Sequence, residues 1–75
     1  MSYVEQARRA AGMTIAAAAA ITGLSAPTYA KREKDPDSFT VGQLRMLGWE
    51  MDELSRGILW QHIGDEDVFF AVPFN

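Results

Sequence analysis

The sequence predicts an all-α domain of about five short helices, followed by a single β-strand over residues about 67–72. Three observations carry that prediction. Ser2, Thr14, Ser25 and Thr40, whose short polar side chains can cap a free backbone N–H, each stand just ahead of a run of helix-compatible residues. Gly12, Gly23 and Gly48 follow at the distances where short helices would stop. The closing "VFFAV", Val68 to Val72, is β-branched and aromatic and is bounded by Pro73, which is a strand signature.

Taken in order, "SYVE" places Ser2 and Glu5 at capping-box spacing, so a first helix starts at Tyr3, with Val4, Ala7 and Ala11 on one face and Gly12 as its stop. Thr14 caps a second helix from Ile15 to about Thr22, ended by Gly23. Its five alanines, Ala16 to Ala20, are strong helix formers that bring little apolar area. Ser25 caps a third helix with Pro27 in its first turn; Tyr29 points inward while Lys31, Arg32 and Lys34 are expected to stay solvated. After the turn "KDPDS", Thr40 and Gln43 make another capping box, opening a short helix through Leu47 that Gly48 ends. A fifth helix, about Met51 to Gln61, carries Leu54 and Ile58 one turn apart. Met46 and Met51 are read as packing residues, and Trp49 and Trp60 as core or interface. Residues 1–63 form the body of one domain and residues 64–75 its tail.

Seventy-five residues with 48% hydrophobic side chains and eight aromatics support one small folded domain, not a disordered chain. There is no cysteine and a single histidine, His62, read as a helix-end residue and not a ligand. No metal, cofactor or small-molecule ligand is expected, and no nucleophile constellation points to catalysis. Asp65, Glu66 and Asp67 read as a solvated loop, since the glutamate that would complete a calcium loop is lacking. Two arginines ahead of an alanine run resemble the start of an export signal, but Gly12, Thr14, Thr22 and Gly23 interrupt the apolar stretch, and Glu5 sits where positive charge belongs. The expected location is the cytoplasm, with no membrane association. Net charge is −3, unevenly spread. Residues 1–45 hold Arg8, Arg9, Lys31, Arg32, Lys34 and Arg45 against Glu5, Glu33, Asp35 and Asp37, while residues 46–75 hold Arg56 against six acids. That split suits one surface facing a polyanion and another avoiding it, although a solvated pattern without function produces a similar imbalance.

The glycine turn "TGLS" between the second and third helices has the signature of a helix–turn–helix. The stretch "GMTIAAAAAITGLSAPTYAKREKDP" resembles the DNA-binding core of the phage repressor and Cro family, also called the xenobiotic-response-element type. Thr14, Ala18, Ala19, Gly23, Leu24, Ser25, Thr28, Tyr29 and Glu33 match that pattern, and "WEMDEL" is similar to the family's last helix, with Leu54 as its leucine. The resemblance covers roughly residues 3–60 and implies a lambda-repressor-like helix–turn–helix domain. It makes the alanine run scaffold: Ala19 lets the third helix cross the second closely. Ala18 replaces a usual leucine, leaving Tyr29 or Phe39 to fill its volume.

The resemblance further implies that Arg8 pairs with Glu33 to brace the third helix, against a plainer reading of an exposed arginine and a solvated glutamate. It places Ala26, Pro27, Ala30 and Lys31 at base edges in the major groove, where lysine can donate to guanine and Ala26 or Pro27 can pack on a thymine methyl. It assigns phosphate contacts to Thr14, Ser25, Thr28, Lys34, Ser38 and Arg8 or Arg9. Two positions and one helix depart from the pattern: Ile15 stands where a phosphate-binding glutamine is usual, Asp35 where glycine is usual, and the fourth helix is short. So few donors imply modest affinity per subunit and a need to dimerise. Trp60, Val68, Phe69, Phe70, Val72 and Phe74 would supply the dimer interface, the strand pairing across a two-fold axis; the alternative is that the strand folds back on its own core. The implied function is a small dimeric transcription regulator of phage or mobile-element type on double-stranded operator DNA. The alternative is a degenerate helix–turn–helix that binds protein, as an antitoxin or antirepressor.

Overall fold

Each helix begins where a side-chain oxygen takes up a free backbone N–H. In the computed structural model, which describes residues 1–61, these starts give α1 (Tyr3–Ala10), α2 (Ile15–Thr22), α3 (Ala26–Glu33), a 3-10 turn (Pro36–Ser38), α4 (Val41–Trp49) and α5 (Glu53–Gln61). Ser2, Thr14 and Ser25 accept from the amides of Glu5, Ala17 and Thr28 at 3.1, 3.0 and 3.3 Å. Thr40 and Gln43 form a full reciprocal box, each side chain taking the other's backbone N–H at 3.0 Å. At Ser2 only half of the box forms, because the Glu5 carboxylate pairs with Arg9 at 2.9 Å. Gly12 and Gly23 both adopt left-handed conformations, φ 73° and 74°, and reverse the chain after α1 and α2.

The five helices enclose one core. α1 packs on α5, α2 on α3 and α4, and α4 on α5. Val4, Ala7, Tyr29, Leu47 and Leu59 are fully buried at its centre. From the alanine run only Ala18 and Ala19 are buried, and the rings of Tyr29 and Phe39 meet beside them, centroids 5.5 Å apart and tilted by 54°. Thr22 satisfies its buried hydroxyl by donating back to the Ala18 and Ala19 carbonyls. No described helix is long and apolar enough to cross a membrane.

Four sequence expectations are corrected. Gly48 does not end α4, which continues through it to Trp49. It is glycine because the Trp60 ring lies where a Cβ would be, with indole atoms 2.7–2.9 Å from that position. Met51 precedes α5 instead of opening it. The helix starts at Glu53, after Asp52, whose carboxylate accepts from both the amide and the hydroxyl of Ser55. That phase turns Ser55 and Leu59 inward and leaves Leu54 77% exposed. Met46 is exposed, while Met51 is buried. Arg32 is not solvated but half-buried, its guanidinium held by the chain. The predicted strand, its candidate interface residues Val68, Phe69, Phe70, Val72 and Phe74, and His62 lie outside the described residues.

Candidate functional site

α3 is fastened from behind. Tyr29 and Glu33, one turn apart, face the core, and α1 brings Arg8 to meet them. Arg8 donates through Nε to Glu33 Oε2 at 2.7 Å and through Nη2 to Oε1 at 3.1 Å. Its Nη1 donates to the Met13 carbonyl at 3.0 Å. The Tyr29 hydroxyl donates to Glu33 Oε2 at 2.8 Å. Arg8 and Glu33 are only 7% and 5% exposed, and within the protein the carboxylate accepts from three donors and the guanidinium makes three acceptor contacts. Burial, reinforced by the bond to Glu33, pushes the Tyr29 hydroxyl far above the ordinary tyrosine range. The hydrogen bond to Glu33 holds the Arg8 guanidinium more firmly protonated than usual. Arg8 therefore keeps its charge and Tyr29 its proton at any ordinary pH, and the cluster fixes α3 to α1 and, through Met13, to the turn leading into α2.

Outward, the first turns of α3 present small groups and one cation. Ala26, Pro27, Thr28 and Lys31 are exposed and Ala30 is half-buried. The Ser25 hydroxyl donates to Thr28 Oγ1 at 2.9 Å while accepting the Thr28 amide, which leaves the Thr28 proton as the available hydroxyl donor there. On α2, Thr14 is exposed and accepts from Ala17, so its own proton is available. Lys34 is exposed. The Ser38 hydroxyl, by contrast, donates to the Asp35 carbonyl at 2.6 Å. Arg9 is exposed in a surface pair with Glu5, a weak contact that a stronger anion can displace. Arg8 cannot join the phosphate-contacting set: it is buried and all three of its contacting nitrogens are committed.

Arg32 is the residue that sequence reasoning missed. Its Nη1 donates to the Ser38 carbonyl at 3.0 Å and reaches Gln43 Oε1 at 3.5 Å. Its spacing after Lys31 gave no hint, because the partners come from the next turn and the next helix. Thr28, Lys31, Arg32, Asp35 and Ser38 line an open groove of about 360 Å³ along the second half of α3. Asp35 and Asp37, both exposed, add negative charge at its end.

Trp60 is half-buried against Gly48 of its own chain, with the Arg56 guanidinium 5.7 Å from its ring centre. Among the described residues no three His, Asp or Glu side chains converge as a metal site. No family model, curated protein or solved structure matches the chain.

Proposed function

We propose that this chain is a small sequence-specific DNA-binding regulator of the phage repressor and Cro type, with α2 and α3 as its helix–turn–helix and α3 as the helix that enters the major groove. The observation that carries the reading is the two-sided character of α3. Its inner side is clamped by Tyr29 and Glu33 to Arg8, while its outer N-terminal side offers Ala26, Pro27 and Lys31 without obstruction. A helix held rigidly with small groups outward can approach base edges closely, Lys31 donating to guanine and the apolar side chains meeting thymine methyls. Thr14, Thr28, Lys34 and Arg9 are the groups with donors left for phosphates. Four such contacts per subunit support weak binding by a monomer, and the reading includes a homodimer on a palindromic site, paired through the C-terminal segment.

Selection of duplexes from a random pool at two salt concentrations, with Lys31→Ala alongside, tests this. An enriched palindrome, weaker at higher salt and with altered base preference in the variant, is the expected result; no enrichment at low salt overturns it.

A second reading, a protein-binding module, draws on a different surface. Val41, Met46, Trp49 and Leu54 are large apolar side chains left 43–77% exposed, beside the exposed carboxylates of Glu50, Asp52 and Glu53. Partner binding there would persist at salt concentrations that release DNA.

A further inference from the structure

We propose that Arg32 is a positioning residue for DNA binding, locking the connection between α3 and α4 at a fixed distance from the reading face; the proposal rests on the DNA-binding reading above. Within itself the connection is held only by short-range bonds, among them the Ser38 hydroxyl on the Asp35 carbonyl at 2.6 Å. It contains a single 3-10 turn, Pro36–Ser38, closed by the Ser38 amide on the Asp35 carbonyl at 2.9 Å and the Phe39 amide on the Pro36 carbonyl at 3.1 Å. Phe39 buries its ring below the turn, but Asp35, Asp37 and Ser38 above it are exposed. Hydrogen-bond geometry in a 3-10 turn is poorer than in an α-helix, so a tie from outside adds to what the turn holds by itself.

Arg32 supplies that tie. Its guanidinium leaves the last turn of α3, donates to the Ser38 carbonyl, and lies at the edge of hydrogen-bond range from the same Gln43 oxygen that caps α4. One side chain thus touches α3, the turn and the start of α4. On its two sides along the chain stand Lys31, the expected base reader, and Lys34, an expected phosphate contact. Lys31 and Arg32 both line the groove between α3 and the turn, together with Asp35 and Ser38 of the turn. Arg32 therefore acts through the turn and not by touching a base, because α3 itself is held to α1 separately, by Tyr29 and Glu33 with Arg8.

The test compares wild type with Arg32→Ala and Arg32→Lys. Amide hydrogen exchange of Ser38 and Phe39 is read in the free protein, and affinity and salt slope on a duplex selected by the wild type. Loss of protection at Ser38 and Phe39 in Arg32→Ala is expected, with the other helices protected as before. Affinity should fall about tenfold and the salt slope shallow by about 1 as one phosphate contact loses its place, with base preference kept. Across the variants, affinity should recover only where turn protection recovers. Two results would overturn the proposal: unchanged protection in Arg32→Ala, or full affinity in Arg32→Lys while the turn stays unprotected, which would make charge alone sufficient. If the wild type selects no duplex, the DNA-binding reading fails and the positioning role fails with it, whereas the exchange data still report separately whether Arg32 holds the turn.

Discussion

Replacing Glu33 by glutamine should cost this domain a large share of its stability, although the side chain keeps its shape. The change leaves the Arg8 guanidinium 7% exposed, facing a neutral carboxamide where a bidentate carboxylate stood. Removing one partner of a buried ion pair costs about 3–5 kcal/mol, because the remaining charge must stay dehydrated or tear out of the core. A domain of this size has about 4–11 kcal/mol in total, at roughly 0.05–0.15 kcal/mol per residue. With a urea slope near 1 kcal/mol per molar, the midpoint should move down by about 3 M or more, read by far-ultraviolet circular dichroism. The reasoning also requires a rescue. In Arg8→Met/Tyr29→Phe/Glu33→Leu no charge and no hydroxyl remains to be satisfied, so the triple variant should be more stable than Glu33→Gln alone. A Glu33→Gln protein within about 1 kcal/mol of wild type would refute the account by the size expected of a surface pair. So would a triple variant no better than the single one.

Further outcomes follow from other contacts. Gly48→Ala sets a helix-propensity gain of about 1 kcal/mol against an overpacking cost of about 1–3 kcal/mol from the Trp60 ring. It should therefore lower the thermal midpoint in the wild type and raise it in a Trp60→Ala background. Gly23→Ala puts a Cβ on a left-handed residue and should cost about 1–2 kcal/mol, some 4–16 °C in midpoint by calorimetry. Alkaline titration should destabilise the fold: the Tyr29 proton is retained in the folded state above the pH, about 10, at which an unfolded tyrosine loses it. The unfolded chain then binds fewer protons and stability falls as pH rises. Tyr3, also raised by burial, adds to that slope, so the loss of steepness in Tyr29→Phe, followed by denaturation at pH 9 to 11, isolates the buried hydroxyl. At the acid end, the Ser55 bonds that hold the Asp52 carboxyl below its ordinary value make α5 weaker as pH falls through the carboxylate range, and Asp52→Asn should flatten that dependence in an acid urea series.

Helix starts were legible because capping is local: Ser2, Thr14, Ser25 and Thr40 act on an amide three residues away, within reach of pattern reading. The same logic failed at Gly48. A glycine that stops a helix and a glycine that admits an indole look alike in sequence, and the indole comes from twelve residues later. Leu54 and Ile58 have helical spacing, but spacing alone does not say which face docks: α5 turns Ser55 and Leu59 to the core with Ile58 at the edge, so the smaller Ser55 is buried and Leu54 is not. Arg32 was illegible for a related reason. Nothing in "YAKREK" distinguishes the arginine that holds a turn from the lysines that meet solvent, and only the path of residues 35–43 does so. In the outward face of α3, the sequence already marked Lys31 as the strong donor. What it could not mark is how far the hydroxyls of Ser25 and Ser38 are consumed internally.

The alanine run explains why a buried charge cluster sits behind α3. A helix with larger side chains could hold α3 by apolar area alone, but the residues that α2 buries are Ala18, Ala19 and Thr22, which bring little apolar area by transfer from water. Small side chains gain closeness and lose adhesion. Adhesion is then supplied from the other direction, by Tyr29 with its ring on Phe39 and its hydroxyl on Glu33, and by Arg8 reaching from α1. Such a cluster contributes little net stability once dehydration is counted, but it tolerates few alternative geometries, since a shift of α3 by an ångström breaks several directional bonds at once. Apolar contacts would permit that slide at small cost. For a helix proposed to read bases by close approach, orientation is the property that matters, and on this argument restoring stability with an apolar triple variant should not restore sequence preference in full.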